Sequence, residues 1–203
     1  MIALTGMTAL QIEFGLVALI AAASFAALRK STPRYVWLAL AALYLMDLAA
    51  ITLLGRTPAD QVITALTPGH SLLWVWSVGW EYSAKYTARQ IIGNVLMFVP
   101  VGLICHKLIG GKPWRTTLLT AAGISILIEL TQFITRCGTL ETDDLIFNVW
   151  GALIGAGLYQ NVTDAMACNM KPGKALKRLI PALSFALVLA AACARPLYFK
   201  YFG

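Results

Sequence analysis

The chain has 203 residues, of which 59% are hydrophobic and only 12% are charged. Soluble domains contain about 45–50% apolar and about 25% charged residues, so this composition excludes both a water-soluble globular domain and a disordered chain. The formal net charge of +7 would suggest nucleic-acid binding in a soluble protein. In a membrane protein the same excess is expected from basic residues that gather on the cytoplasmic side, so we predict no nucleic-acid partner.

Six apolar segments are long enough to cross a bilayer, for which about 20 residues are needed. They cover residues 7–28, 35–55, 90–109, 116–135, 144–162 and 179–196. The first segment lacks the basic start of a secretory signal peptide, so we expect it to be a retained span. The sequence therefore predicts an all-α fold, a polytopic transmembrane helical bundle of about six spans that forms a single integral membrane domain over residues 1–203.

The longest connection contains an uncharged stretch from Gln61 to Trp80. Pro68, Gly69 and three tryptophans interrupt or border its apolar residues, which favours an interfacial or re-entrant segment over a seventh span. Ten of the 16 Lys and Arg residues fall in the first, third and fifth loops of the six-span arrangement. The positive-inside rule therefore predicts that these loops are cytoplasmic and that both termini are non-cytoplasmic.

Polar residues cluster at the predicted non-cytoplasmic ends of the spans. An ionisable side chain costs about 2.5–3.5 kcal/mol at the centre of a span, so such residues mark candidate sites. Glu129, Gln132 and Arg136 are spaced to lie on one helix face, as are Asp144 and Asn148 on the next span. The complete set is Arg56, Asn94, Glu129, Gln132, Arg136, Asp144 and Asn148. We expect them to form one polar cavity, in which two arginines offset two carboxylates.

Several of these polar residues also have purely structural interpretations. Asp143 or Thr142 is predicted to be the N-cap of the fifth span, because acidic and hydroxyl residues suit a helix N-terminus. Arg56 and Arg136 are equally typical of interfacial anchors. Glu129 is the strongest functional candidate, since it lies well inside a span.

Small residues follow the polar stripe of the fifth span. Gly151 and Gly155 have the spacing that lets another helix approach closely. His70 and His106 have no second ligand at metal spacing, and the four cysteines include no C-x-x-C pair. We therefore predict neither a metal site nor a cofactor.

The stretches RQIIGNVLMFVPVGL and SILIELTQFITRCGTLETDDLIFNVWGALIGAGL carry a recognisable combination of motifs. Their pattern resembles the VanZ-like family. The matching positions are Asn94, Phe98, Pro100, Gly102, Ser125, Glu129, Gln132, Arg136, Gly138, Asp143, Asp144, Asn148, Gly151 and Gly155. ITLLGRTP, with Arg56, is similar to the family's first motif, so the resemblance predicts a VanZ-like core over residues 35–162. Cys137 departs from the pattern, because it separates Arg136 from Gly138.

The resemblance implies a multi-pass protein of the bacterial inner, cytoplasmic membrane. The family's namesake is associated with low-level resistance to the glycopeptide teicoplanin. Fold membership alone does not define the chemistry, which has to be argued from the site.

Two functional hypotheses follow from the predicted cavity. In the first, the protein binds a membrane lipid or a lipid-linked envelope precursor, because guanidinium groups match phosphate oxygens. The predicted binding residues are Arg56, Asn94, Gln132, Arg136 and Asn148. In the second, Glu129 or Asp144 acts as general acid or base on a lipid-borne cell-wall substrate. A purely structural network and a transporter are further alternatives, the latter disfavoured because the polar residues lie on one side of the bilayer.

Overall fold

The computed structural model describes residues 32–53, 64–78, 82–83, 86–109 and 113–202, and this part of the chain is almost entirely helical. Its α-helices are α1 (Arg34–Leu53), α2 (His70–Ser77), α3 (Gly93–Ile109), α4 (Pro113–Thr135), α5 (Thr142–Met166) and α6 (Pro172–Phe202). A π-helical segment, Thr87–Ile92, leads directly into α3. Two short strands, β1 (Thr64–Ala65) and β2 (Leu140–Glu141), pair in parallel. The predicted span at residues 7–28 lies outside the described residues.

Four helices are long and apolar enough to cross a membrane. They are Arg34–Leu53, Gln90–Ile109, Trp114–Thr135 and Pro172–Ala194. These helices coincide with the second, third, fourth and sixth spans predicted from the sequence. The fifth predicted span lies within α5, a helix of 25 residues that packs against α3, α4 and α6 and is not among those four. The described residues thus have the predicted all-α class, and four of their helices have the length and apolarity needed to cross a membrane.

The stretch between the second and third predicted spans contains no spanning helix among its described residues. Residues 64–78 hold β1 and the eight-residue helix α2. Eight residues of α-helix extend only about 12 Å, far less than the ~30 Å hydrocarbon core of a bilayer. A seventh straight span is therefore excluded for this part of the chain.

Glycines bring α3 and α5 into backbone contact. A Cβ atom built on Gly151 would lie 2.0 Å from the carbonyl oxygen of Val95, and one on Gly155 would lie 1.9 Å from that of Val99. From the other side, a Cβ on Gly102 would lie 1.8 Å from the carbonyl oxygen of Ala152. The predicted close approach at Gly151 and Gly155 is confirmed, and α3 is its partner.

Two apolar clusters hold the helices around this pair. The first joins α1, α3, α4 and α5 and is built on Trp37, Tyr44, Leu48, Phe98, Val101, Leu103, Ile104, Ala121 and Ala152. Within it the Tyr44 hydroxyl donates a hydrogen bond to the carbonyl of Met97, which ties α1 to α3. The second lies beneath α2 and α6 and consists of Val75, Ile91, Val95, Phe147 and Ala192. Both clusters leave the ends of α1, α3, α4 and α5 to polar residues.

Candidate functional site

Five of the predicted site residues, Asn94, Glu129, Gln132, Asp144 and Asn148, lie at one end of the bundle, where α1 and α4 end and α3 and α5 begin. The Asn94 side-chain amide, at the start of α3, donates a 2.6 Å hydrogen bond to the Asp144 carboxylate at the start of α5. The Gln132 amide, near the end of α4, donates a 2.9 Å hydrogen bond to the carbonyl of Thr52 near the end of α1. Side chains of α3, α4 and α5 and a backbone carbonyl of α1 thus share one end of the bundle, which we call the polar end.

Glu129 is a buried acidic residue of the polar end. Only 6% of it is exposed, and one carboxylate oxygen accepts a 3.0 Å hydrogen bond from the backbone N–H of Glu141. Glu141 belongs to β2, in the connection between α4 and α5. A buried carboxylate needs such donors because its charge has lost its water. Glu129 therefore holds the connection between α4 and α5 in place through the Glu141 N–H.

Asp143 caps a helix other than its own. One carboxylate oxygen lies 2.6 Å from the backbone nitrogen of Gly69, and the other lies 2.6 Å from that of Ser71, at the N-terminus of α2. The predicted N-cap role of Asp143 or Thr142 at the fifth span was wrong, because α5 begins after Glu141, whose side chain makes no capping bond. The role is structural, as predicted, but it joins two separate segments.

The strand pair continues this junction. Thr64 pairs with Leu140, and the Thr142 hydroxyl donates a 3.0 Å hydrogen bond to the carbonyl of Leu66. The connection before α2 is therefore bound to the connection before α5 along several consecutive residues.

The environment of Glu141 favours its protonated form. Burial raises the pKa of the Glu141 carboxyl above its usual value, and the nearby charge of Asp143 raises it further. A hydrogen bond with the Thr139 side chain and the positive charge of His70 act in the opposite direction on this pKa. Since burial is the largest effect, Glu141 holds its proton to a higher pH than an exposed glutamate does.

Asn148 lies one turn deeper in α5 than Asp144. Its side-chain amide donates a 2.9 Å hydrogen bond to the hydroxyl of Ser125 on α4. Its carbonyl oxygen Oδ1 is buried and has no hydrogen-bond partner in the described part of the chain. A buried carbonyl oxygen without a hydrogen bond lowers the free energy of unfolding, so the Asn148 Oδ1 atom destabilises the polar end.

Arg136 does not join the buried residues. It follows the last residue of α4 and has a φ of 56°, so its side chain leaves the helical stripe that the spacing predicted. The turn is closed by a 3.0 Å hydrogen bond from the Cys137 backbone N–H to the carbonyl of Gln132. Gly138 packs beside the Gln132 side chain, where a Cβ atom would come within 3.1 Å. The Arg136 side chain is consequently exposed.

Two features of the prediction are not tested by this geometry. Arg56 lies outside the described residues. The buried polar side chains of this end are hydrogen-bonded to other parts of the protein, and none of them lines the apolar cavity of about 140 Å³ between α1, α3 and α4. Among the described residues, no group of three or more His, Cys, Asp and Glu side chains is placed to hold a metal ion.

Sequence reasoning missed the partners of the predicted residues. Thr52, Glu141 and Ser71 contribute backbone groups to Gln132, Glu129 and Asp143 respectively. Backbone donors and acceptors leave no signature in residue type, so no sequence signal marks them. Ser125, the partner of Asn148, was visible as part of the family motif.

A sequence profile of the family described as VanZ/LLP1 matches residues 16–163. The chain belongs to the VanZ/LLP1 family. The matched region extends from before α1 into the last turn of α5 and includes every predicted site residue, so the resemblance inferred from the motifs is confirmed. Of the described helices, only α6 and the last residues of α5 lie beyond the VanZ/LLP1 match.

A curated relative gives the same assignment. The chain is 33% identical over 81 residues to Protein VanZ of Enterococcus faecium, a match that covers 38% of this chain. Because the match covers 48% of that protein, this VanZ/LLP1 member spans about half the length of its curated relative. No solved structure matches the fold at a significant level.

Proposed function

We propose that this VanZ/LLP1 protein binds the phosphate-bearing head group of a membrane lipid or lipid-linked envelope precursor at its polar end. The observation that carries the proposal is the exposed Arg136, held in a left-handed turn directly above a buried polar network. A planar guanidinium presents paired N–H donors that match phosphate oxygens. The helices are long enough to cross a membrane, so an end of the bundle lies at head-group depth.

The hydrogen bonds of the carboxylates support an anionic ligand at this end. Asp143 accepts two backbone N–H groups, Asp144 accepts the Asn94 amide, and Glu129 accepts the Glu141 N–H. Each negative charge is thus stabilised by donors of the protein itself, which lowers its repulsion of a phosphate. Arg56, predicted as the second phosphate ligand, is assigned the same role.

The three amides of the predicted set have a supporting role in this proposal. Gln132 satisfies a carbonyl in the last turn of α1, where helix carbonyls lack intrahelical partners. Asn94 and Asn148 join α5 to α3 and α4. We propose that these bonds hold the helix ends rigid, so that Arg136 approaches the ligand from a fixed turn.

The biological setting is part of the same proposal. We place the protein in the bacterial inner membrane, with six spans and with the polar end on the non-cytoplasmic side, where envelope precursors are assembled. The link of the family's namesake to teicoplanin suggests glycopeptide susceptibility as a phenotype to measure. We propose no more about resistance than this link through the family.

The experiment is lipid retention by purified protein. Wild type, Arg136→Ala and Arg136→Lys are reconstituted in nanodiscs that contain equal amounts of phosphatidylglycerol and phosphatidylcholine, re-extracted in mild detergent, and analysed for bound lipid by mass spectrometry. We expect Arg136→Ala to weaken phosphatidylglycerol binding at the polar end about tenfold, corresponding to about 1.4 kcal/mol, so that bound phosphatidylglycerol falls by the share held at this end. Arg136→Lys keeps the positive charge but lacks the paired N–H donors of the guanidinium, so its bound phosphatidylglycerol should lie between that of wild type and that of Arg136→Ala.

Arg115→Ala is the matched control, because Arg115 is also an exposed arginine of α4 but lies in its first turn, at the opposite end of the bundle. Equal lipid retention by wild type and Arg136→Ala would reject the proposal. An equal loss in both arginine variants would assign the effect to general surface charge and would reject it as well.

A second function is favoured by the burial of Glu129. A carboxylate that is 6% exposed and oriented by a backbone N–H is a suitable general acid or base for a lipid-borne cell-wall substrate, with Asp144 as its alternative. Glu129→Gln separates the two functions, because it keeps an acceptor for the Glu141 N–H but cannot transfer a proton. Head-group binding should survive this change, whereas an acid-base reaction should not.

A further inference from the structure

An apolar groove lies on the side of the bundle between α1, α3 and α4. Its volume is about 140 Å³, and its lining includes Ala41, Val101, Leu108 and Thr120. An engineered apolar cavity of about 150 Å³ stays dry and binds benzene, so a space of this size and character takes hydrocarbon rather than water. Leu45 and Ile109 line the groove and are both exposed, so none of the helices among the described residues covers it.

The groove has the depth of one membrane leaflet. Along α3 its lining extends from Val101 to Ile109, which is about 12 Å of helix. The hydrocarbon half of a bilayer is about 15 Å thick. An acyl chain that enters from one membrane surface would therefore follow the groove along most of its length.

Two cations lie at the end of the groove that faces the membrane surface. The Lys107 ammonium lies 5.9 Å from the centre of the Trp37 ring, one turn from Ala41 on α1. Arg34 precedes Ala41 by seven positions and Leu45 by eleven, so all three share one face of α1. Both cations are exposed, and they lie at the opposite end of the bundle from Asn94 and Arg136.

We infer that this groove is a binding site for an anionic phospholipid, with an acyl chain along the apolar lining and the phosphate between Lys107 and Arg34. Charge complementarity selects the head group, and the surrounding membrane supplies the chain. A basic residue near the surface favours an anionic lipid by about fivefold. The site is separate from the proposed function, since it uses other residues at the other end of the bundle.

The test uses the full-length protein in nanodiscs with equal amounts of phosphatidylglycerol and phosphatidylcholine. The charge variants are Lys107→Gln, Arg34→Gln and their combination, and the bound lipids are quantified by mass spectrometry after extraction. We expect each single change to lower the preference of the groove for phosphatidylglycerol over phosphatidylcholine about fivefold, seen as a lower ratio of the two bound lipids. Arg115→Gln is the matched control, because Arg115 lies at the same end but five positions from Thr120, on another face of α4.

The groove itself is tested by filling it. Ala41→Phe places a ring in the cavity and should reduce the amount of either lipid retained, whereas Ala42→Phe adds the same ring to the exposed face of α1 and should not. Unchanged lipid retention in Ala41→Phe would show that lipid does not occupy the groove. If Ala41→Phe lowers Tm but leaves the amount of retained lipid unchanged, the groove is filled by another segment of the chain, and the inference is overturned as well.

The charge variants remain decisive if Ala41→Phe fails to fold, because Lys107 and Arg34 are exposed. An equal decrease with Arg115→Gln would reduce the effect to nonspecific surface charge and reject the site.

Discussion

The carboxylate of Asp143 lies 2.6 Å from the backbone nitrogen of Ser71, a residue 72 positions earlier in the chain. Its other oxygen accepts the N–H of Gly69, so one side chain satisfies two of the unpaired donors at the start of α2. A negative charge is also favourable at the positive end of a helix dipole. The link fixes α2 to the start of α5 and thereby closes one side of the polar end.

Asp143→Asn should therefore destabilise the fold. The amide keeps one acceptor but directs an N–H group at the second backbone donor. Hydrogen bonds to charged groups contribute about 1.5–3 kcal/mol each, so we expect Tm in detergent to fall by about 5–10 °C. Asp164→Asn is the control, because Asp164 is 33% exposed and pairs with Arg178 at a partly exposed position. A similar change in both variants would contradict the capping role.

The backbone contact between α3 and α5 gives a second prediction. Gly151→Ala places a methyl group 2.0 Å from the carbonyl oxygen of Val95, so the two helices have to move apart. Overpacking of this kind costs about 1–3 kcal/mol or more, and we expect a lower Tm and a lower yield of monodisperse protein.

Gly123→Ala is the matched control for this change. Gly123 lies in α4, and a Cβ atom there has no neighbour within 4 Å. Alanine is favoured over glycine in a helix by about 1 kcal/mol, so this variant should be as stable as wild type or more so. Equal destabilisation of the two variants would mean that the glycine contact does not hold α3 against α5.

Much of the polar end could be predicted because it depends on helix periodicity and on the order of the spans. Asn94 and Asp144 both lie near the start of a predicted span, so the alternation of spans predicts them at the same end, and the packing of α3 against α5 brings them together. The close approach at Gly151 was predictable for the same reason, since small residues at helical spacing mark a contact face.

The remaining features depend on backbone geometry that residue types do not encode. Arg136 does not share a helix face with Glu129 and Gln132, because α4 ends at Thr135 and Arg136 has a positive φ. Helical periodicity does not show at which residue a helix ends. The hydrogen bond between the Ser71 N–H and the Asp143 carboxylate joins two connections that are 72 positions apart in the chain, so no local sequence pattern indicates it. The sequence correctly predicted that Asp143 caps a helix N-terminus, but it could not show that the capped helix is α2.

The pair formed by Asn148 and Ser125 allows a double-mutant test. Ser125→Ala removes the acceptor of the Asn148 amide, whose Oδ1 already lacks a hydrogen-bond partner among the described residues. An unsatisfied buried polar group costs about 1–3 kcal/mol, so the single variant should be clearly less stable.

Adding Asn148→Leu to Ser125→Ala replaces both polar groups with apolar ones. We expect the double variant to regain stability relative to Ser125→Ala, because no buried donor remains unpaired. Thermal unfolding of wild type, both single variants and the double variant completes the cycle. Additive losses would show that the two side chains do not interact energetically.

The raised pKa of Glu141 gives a prediction for the dependence of stability on pH. The folded state holds this proton more tightly than the unfolded state, whose pKa is near the usual 4.5. The contribution to the free energy of unfolding is therefore greatest below pH 4.5 and falls as the pH rises through the raised pKa. Glu141→Gln cannot ionise and should not show this decline, while its backbone N–H still serves Glu129.

We expect the Tm of Glu141→Gln relative to wild type to increase between pH 4 and pH 7, when both proteins are measured in the same detergent. A difference that stays constant or decreases with pH would contradict the raised pKa. His70→Gln provides an opposite check, because the positive charge of His70 lowers the pKa of Glu141. Its removal should raise this pKa further and extend the decline to higher pH, an effect that a second substitution, Glu141→Gln, should abolish.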